Sequence, residues 1–108
     1  EAPGMLKRHY APKTKIVFSN DFIKSIKSYP NKKIGILCLK RIEKIPKSVH
    51  QEVLSSDGNL NEAAKNLYAA LHKLDRLNLD LILTTNVPEF ELGRSINDRL
   101  GRAVEVKN

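Results

Sequence analysis

The run Ile34-Gly35-Ile36-Leu37-Cys38-Leu39 contains no polar side chain, and that constrains the fold more than any other stretch of the chain. A strand with one wet face alternates apolar and polar residues. A strand without alternation is covered on both faces, which calls for a sheet between two layers. Leu79-Asp80-Leu81-Ile82-Leu83-Thr84 reads as a second strand, Ile16-Val17-Phe18 as a short one, and His50 to Leu54 as a further one. Helical patterns lie between them. Ser19 or Asn20 is placed to cap a helix running to about Tyr29, with Phe22, Ile23 and Ile26 inward and Pro30-Asn31 stopping it. Asn59 with Glu62 makes a capping-box-like start, after which Leu60, Ala63, Ala64, Leu67, Leu71 and Leu74 form a stripe to about Leu77. A last helix is expected from about Glu91 to Arg102, with Leu92, Ile96 and Leu100 on one face, then a small edge strand at Val104-Glu105-Val106. Strands alternating with helices predict an α/β fold, a small three-layer Rossmann-like domain with a mainly parallel sheet. That domain is expected over residues 15–108, preceded by an irregular linker strap over residues 1–14.

A chain of 108 residues suits one modest core. No apolar run is long enough to span a membrane, and the start lacks the pattern of a signal peptide. Cys38 is the only cysteine, so no internal disulfide forms and a reducing, cytoplasmic setting is expected. The chain does not begin with methionine and is expected to be a piece of a longer protein. The net charge of +7 is lopsided: residues 1–48 hold 12 Lys/Arg against 3 Asp/Glu, residues 49–108 hold 7 against 9. Such a half could attract RNA. The lysines are scattered rather than clustered, however, and a solvated surface is the favoured reading.

The body of the chain carries little that points to catalysis. It has neither of the glycine-rich phosphate loops, and His9, His50, His72 and Cys38 lack metal-ligand spacing, so no metal is expected. Cys38 reads as core. Open α/β sheets bind ligands beyond the carboxyl ends of their strands, here Ser19-Asn20 and Thr84-Thr85-Asn86, although caps and turns explain those residues better. Arg94, Asp98, Arg99 and Arg102 share the last helix. An Arg94–Asp98 pair is the default, and an interdomain contact through Arg94 and Arg99 the functional alternative.

The opening Ala2-Pro3-Gly4-Met5-Leu6-Lys7-Arg8-His9-Tyr10-Ala11-Pro12 follows neither period. It sets a guanidinium, an imidazole and a phenol side by side, between prolines that stiffen the path. Those groups suit a strap over phosphates and a flat ring; by residue type alone a plain tether serves as well. Pro3-Gly4-Met5, three residues, then His9-Tyr10-Ala11-Pro12 resembles the interdomain linker of long-form threonylcarbamoyl-AMP synthases. Leu6-Lys7 stands where members often carry Lys-Tyr. Ala63 to Leu71, Leu74-Asp75, Leu79 to Leu83 and Leu92 to Leu100 resemble the same family's C-terminal accessory domain.

The resemblance implies a parent enzyme with an N-terminal catalytic domain as partner. It would condense L-threonine, bicarbonate and ATP, the ATP as Mg-ATP, into threonylcarbamoyladenylate for tRNA modification. Arg8, His9 and Tyr10 would then form a lid over the nucleotide, and the present chain alone would be non-catalytic, with no cofactor of its own. Two rivals remain: a free-standing basic RNA-binding module, and a small nucleotide-binding domain acting alone.

Overall fold

The computed structural model describes residues 12–107. Within them lie strands β1 (Lys15–Phe18), β2 (Ile34–Cys38), β3 (His50–Val53) and β4 (Leu81–Thr84). The helices are α1 (Phe22–Ser28), α2 (Leu60–Asp75) and α3 (Gly93–Lys107). The strands form one sheet in the order β1-β4-β2-β3, and every neighbouring pair is parallel. Parallel neighbours need crossovers, which is why helices separate most of the strands in sequence.

Successive side chains of a strand point to opposite faces, and the core divides accordingly. Ile16, Leu37 and Ile82 face α2 and α3, meeting Leu67, Leu71, Leu74, Ile96 and Leu100. Ile34, Ile36, Cys38, Leu81 and Leu83 face the other way, against Phe22 of α1 and half-buried Ile26, Ile42 and Ile45. The expected three layers are present, but the second face is covered by one short helix and the 39–49 connection. Each fully buried Leu or Ile contributes roughly 1.5–3 kcal/mol, so the α2/α3 side holds most of the apolar stabilisation.

Gly35 sits where β2 runs beneath α2. A Cβ there would lie 2.6 Å from Leu79 Cδ1 and 2.9 Å from Leu74 Cδ2. The glycine lets the helix layer approach the sheet.

Several local expectations are corrected. Val104-Glu105-Val106 is not an edge strand, because α3 continues through it. Buried Ala103 extends the stripe of Ile96 and Leu100, and lengthening a helix needs no new nucleus. The cap of α1 is Asp21, whose side chain accepts from Lys24 N, rather than Ser19 or Asn20. Ser19 instead extends the sheet, donating its N–H to Thr84 O at 2.8 Å. Ile23 is exposed rather than inward; Phe22 and Ile26, one turn apart, take the inner face. Leu92 precedes α3 and is exposed rather than on its buried face. The expected capping box at Asn59 is completed through Ser55. Asn59 Oδ1 accepts from Glu62 N, while Ser55 Oγ accepts from Asn59 N and donates to Glu62 Oε1.

Candidate functional site

The chain enters the domain on a fixed footing. Asp75, the last residue of α2, accepts from Lys13 N through Oδ2 and from Thr14 N through Oδ1, both at 3.0 Å. Pro12 and Thr14 are buried beside it. Two consecutive amides on one carboxylate hold the entering backbone by charge-assisted hydrogen bonds. Nothing local in the sequence marks Asp75 for this, since its partners lie about sixty positions away. Arg8, His9 and Tyr10 lie outside the described residues.

At the opposite end of the sheet, β1 leads into α1 on one face and β4 leads towards α3 on the other. That divergence is where an open parallel sheet offers a crevice. Two of its polar residues, Ser19 and Thr84, are engaged within the fold. Ser19 Oγ meets Ser25 Oγ at 2.6 Å and accepts from Asp21 N at 3.2 Å. Thr84 Oγ1 donates to Leu37 O at 2.9 Å. The loop beyond β4 is closed by Asn97, whose Oδ1 accepts from Val87 N and whose Nδ2 donates to Val87 O, both at 2.8 Å. Among the described residues no buried side-chain nitrogen or oxygen lacks a hydrogen-bond partner. The turn reading fits Ser19, which accepts from the amide two residues on, whereas Thr84 is a strand residue that bonds the neighbouring strand.

The arginines of α3 separate. Arg94 does not pair with Asp98; its Nε lies 4.0 Å from Glu89 Oε1, and Asp98 pairs with Arg102 at 3.5 Å. The side chain of Arg94 is 82% exposed, and it follows a turn that presents Phe90 and Leu92 to solvent. Arg99 works within the domain: its guanidinium hydrogen-bonds Ser95 and sits 5.9 Å from the centre of the Tyr68 ring. That contact ties α3 to α2 by a cation–π interaction.

A second polar clip has no local signature in the sequence. Gln51 of β3 accepts from Ile42 N at 2.9 Å and donates to Ile42 O at 3.0 Å. It fastens the 39–49 connection to the sheet. Cys38 lies beneath it, with Sγ 3.6 Å from Gln51 Oε1. Burial pushes the Cys38 thiol up from 9.0 to about 11, Arg41 opposing and Glu52 adding. A shift of that size leaves about a hundredfold less thiolate near pH 8. Iodoacetamide should therefore label Cys38 slowly in the folded protein and rapidly in urea; equal rates would show the thiol is open. The folded state holds this proton more tightly, so its contribution to stability is complete below pH 9 and is lost as pH rises towards about 11.

Among the described residues no group of three His, Cys, Asp or Glu side chains could hold a metal ion. No helix among them is long and apolar enough to cross a membrane.

Known proteins fit this geometry. The family described as threonylcarbamoyl-AMP synthase, C-terminal domain, matches residues 1–104. The threonylcarbamoyl-AMP synthase of Schizosaccharomyces pombe is 32% identical over 98% of this chain and 30% of its own length. That of Pyrococcus abyssi is 30% identical over 95% of this chain and 32% of its own. The chain thus spans about a third of these curated relatives. The crystal structure of P. abyssi Sua5 complexed with L-threonine matches 90% of this chain and 30% of that one, with a TM-score of 0.67 at 27% identity. The C-terminal Sua5 domain of Pyrococcus horikoshii matches with a TM-score of 0.59 at 24% identity, over 84% and 93% of the two chains, a likeness of fold. A match that begins at the first residue, takes in the Pro-Gly-Met and His-Tyr-Ala-Pro segments and continues into the parallel sheet places this chain in the threonylcarbamoyl-AMP synthase C-terminal domain family.

Proposed function

We propose that this domain is the accessory part of an enzyme forming L-threonylcarbamoyladenylate from L-threonine, bicarbonate and ATP in the cytoplasm, for tRNA modification. The observation that carries the reading is the family match over residues 1–104, which includes the segment from Pro3 to Pro12. In the reaction, the threonine amine takes the carbon of bicarbonate to give a carbamate, with loss of water. Its carboxylate oxygen attacks the α-phosphorus of ATP and pyrophosphate leaves. Magnesium on the ATP neutralises the phosphates, and both belong to the catalytic domain of the longer chain.

This chain contributes the lid. Arg8 forks onto phosphate oxygens, Tyr10 sets its ring or hydroxyl against the nucleotide, and His9 donates a hydrogen bond. A mixed anhydride hydrolyses readily, so a cover that excludes water has a purpose. The Asp75 clamp on Lys13 and Thr14 supports this reading, because it ties the base of the strap to a rigid helix. Four residues of chain reach at most about 14 Å from Pro12, which limits where Arg8 can act. Arg94, with Phe90 and Leu92 beside it, is the better placed of the two helix arginines to touch the catalytic domain. Arg99 is committed to Ser95 and Tyr68.

A pyrophosphate-release assay with ATP, threonine and bicarbonate tests the division of labour. The 108-residue chain should release none with any divalent metal, whereas a longer chain including the catalytic domain should turn over. Turnover by the shorter chain, freed of contaminating enzyme, would overturn the reading.

A further inference from the structure

Lysines that are scattered along the sequence gather on one side of the sheet. α1 and the 39–49 connection cover the same face, held there by Phe22, Ile26, Ile42 and Ile45. These two segments carry Lys24, Lys27, Lys40, Arg41, Lys44 and Lys47, all exposed, against only Asp21, engaged as the cap of α1, and Glu43. Lys40 stands at the edge, its stem beside Gly58. None of the six cations takes part in an ion pair among the described residues. The other layer is different. Residues 59–77 and 86–107 carry 7 Lys/Arg and 6 Asp/Glu, and Arg94 and Arg102 each lie against an acidic partner. The Gln51 clip on Ile42 holds the basic connection in place.

We propose that the face built by α1 and the 39–49 connection binds the sugar–phosphate backbone of a folded RNA. Unpaired surface cations release counterions from a polyanion, which is the main source of sequence-independent affinity. The sheet beneath has four strands, and at about 4.8 Å spacing the face is on the order of 15 Å across, wide enough to meet several phosphates. Three features select helical RNA from other polyanions. The face has no apolar centre of the kind a protein interface uses. Its large apolar side chains turn into the sheet apart from Ile23, leaving little to enter a lipid surface. Its one aromatic outside the core proper, Tyr29, is half-buried against the sheet, so unpaired bases find no stacking platform, and recognition falls to shape and phosphate. The choice of RNA over DNA rests on the proposed function, whose product serves tRNA.

The test is fluorescence anisotropy of the 108-residue chain with a labelled RNA duplex of about 20 base pairs. Affinity should fall about a hundredfold between about 50 and 200 mM salt, as some four phosphate contacts require. Replacing Lys40, Arg41, Lys44 and Lys47 together by alanine should weaken binding about tenfold or more and flatten the salt slope. Lys24→Ala with Lys27→Ala, on the helix, should act in the same direction. Arg94→Ala with Arg102→Ala, on the other layer, should leave affinity unchanged. The proposal is overturned by absent binding at low salt, by equal losses in the control pair, or by a DNA duplex binding as tightly. Tighter capture by phosphatidylserine–phosphatidylcholine vesicles or polyglutamate would overturn it too. The pyrophosphate assay of the longer chain contains no RNA, so the two readings fail separately.

Discussion

Gly93→Ala is expected to lower the melting temperature of the domain by on the order of 15 °C. A Cβ at position 93 would lie 1.8 Å from the backbone oxygen of Pro88 and 3.0 Å from its carbonyl carbon. No rotamer relieves that overlap, because the obstacle is main chain. The Pro88–Gly93 turn would have to open, although the Phe90 carbonyl closes it by accepting from Gly93 N at 2.8 Å. It would also strain the two Asn97 hydrogen bonds to Val87. A cost of about 3 kcal/mol is a large share of the roughly 5–15 kcal/mol that holds a domain together. The other glycines give a graded comparison. At Gly35 the obstacles are the ends of the Leu74 and Leu79 side chains, which can turn aside, so Gly35→Ala should cost about 1–3 kcal/mol. At Gly101, inside α3, nothing lies within 4 Å of an added Cβ, so Gly101→Ala should stabilise by about 0.5–1 kcal/mol. Thermal melts followed by circular dichroism would rank the three. A Gly93→Ala variant melting within a degree or two of the parent would contradict the close approach to Pro88.

In the longer enzyme, Arg8→Ala or Tyr10→Ala should cut adenylate formation about tenfold to a hundredfold while leaving this domain's melting temperature nearly unchanged. The size follows from one charge-assisted contact, about 1.5–3 kcal/mol if it is made fully in the transition state. The separation of effects follows from position. The core is made by residues such as Leu67, Leu71 and Ile82, and the strap joins it through Lys13 and Thr14. A tether of no catalytic consequence predicts unchanged kinetics for both variants at constant chain length. Wild-type turnover and nucleotide affinity in both would remove the lid role. Any effect at Lys7 should be smaller, since an amine there cannot supply the ring contact that a tyrosine would.

Elements with a local signature are legible in the sequence. The unbroken apolar run at Ile34–Leu39 and the stripe from Leu60 to Leu74 announce a doubly covered strand and an amphipathic helix, because their periods are written in neighbouring residues. The His9-Tyr10-Ala11-Pro12 segment and Leu92 to Leu100 likewise carried the family. Corrections fell at element ends and in side-chain partners, as where Arg94 meets Glu89 rather than Asp98. Val104 to Val106 has the β-branched residues of a strand but inherits a helix already under way, and Asp21 displaces its neighbours as a cap through side-chain geometry that residue type cannot rank.

The sequence by itself determined the α/β class, the alternation of elements and the family, since these depend on short-range pattern and on motif. Only the tertiary structure decided the strand order β1-β4-β2-β3, in which β4, last in the chain, lies between β1 and β2. It alone brought Asp75 to the amides of Lys13 and Thr14, and Gln51 onto Ile42. It also gathered dispersed lysines onto one face, by packing α1 and the 39–49 connection on the same side of the sheet. The physical reason is common to all of these. Each depends on which distant segments share a core, and a contact between residues far apart in the chain leaves no periodic trace in either of them.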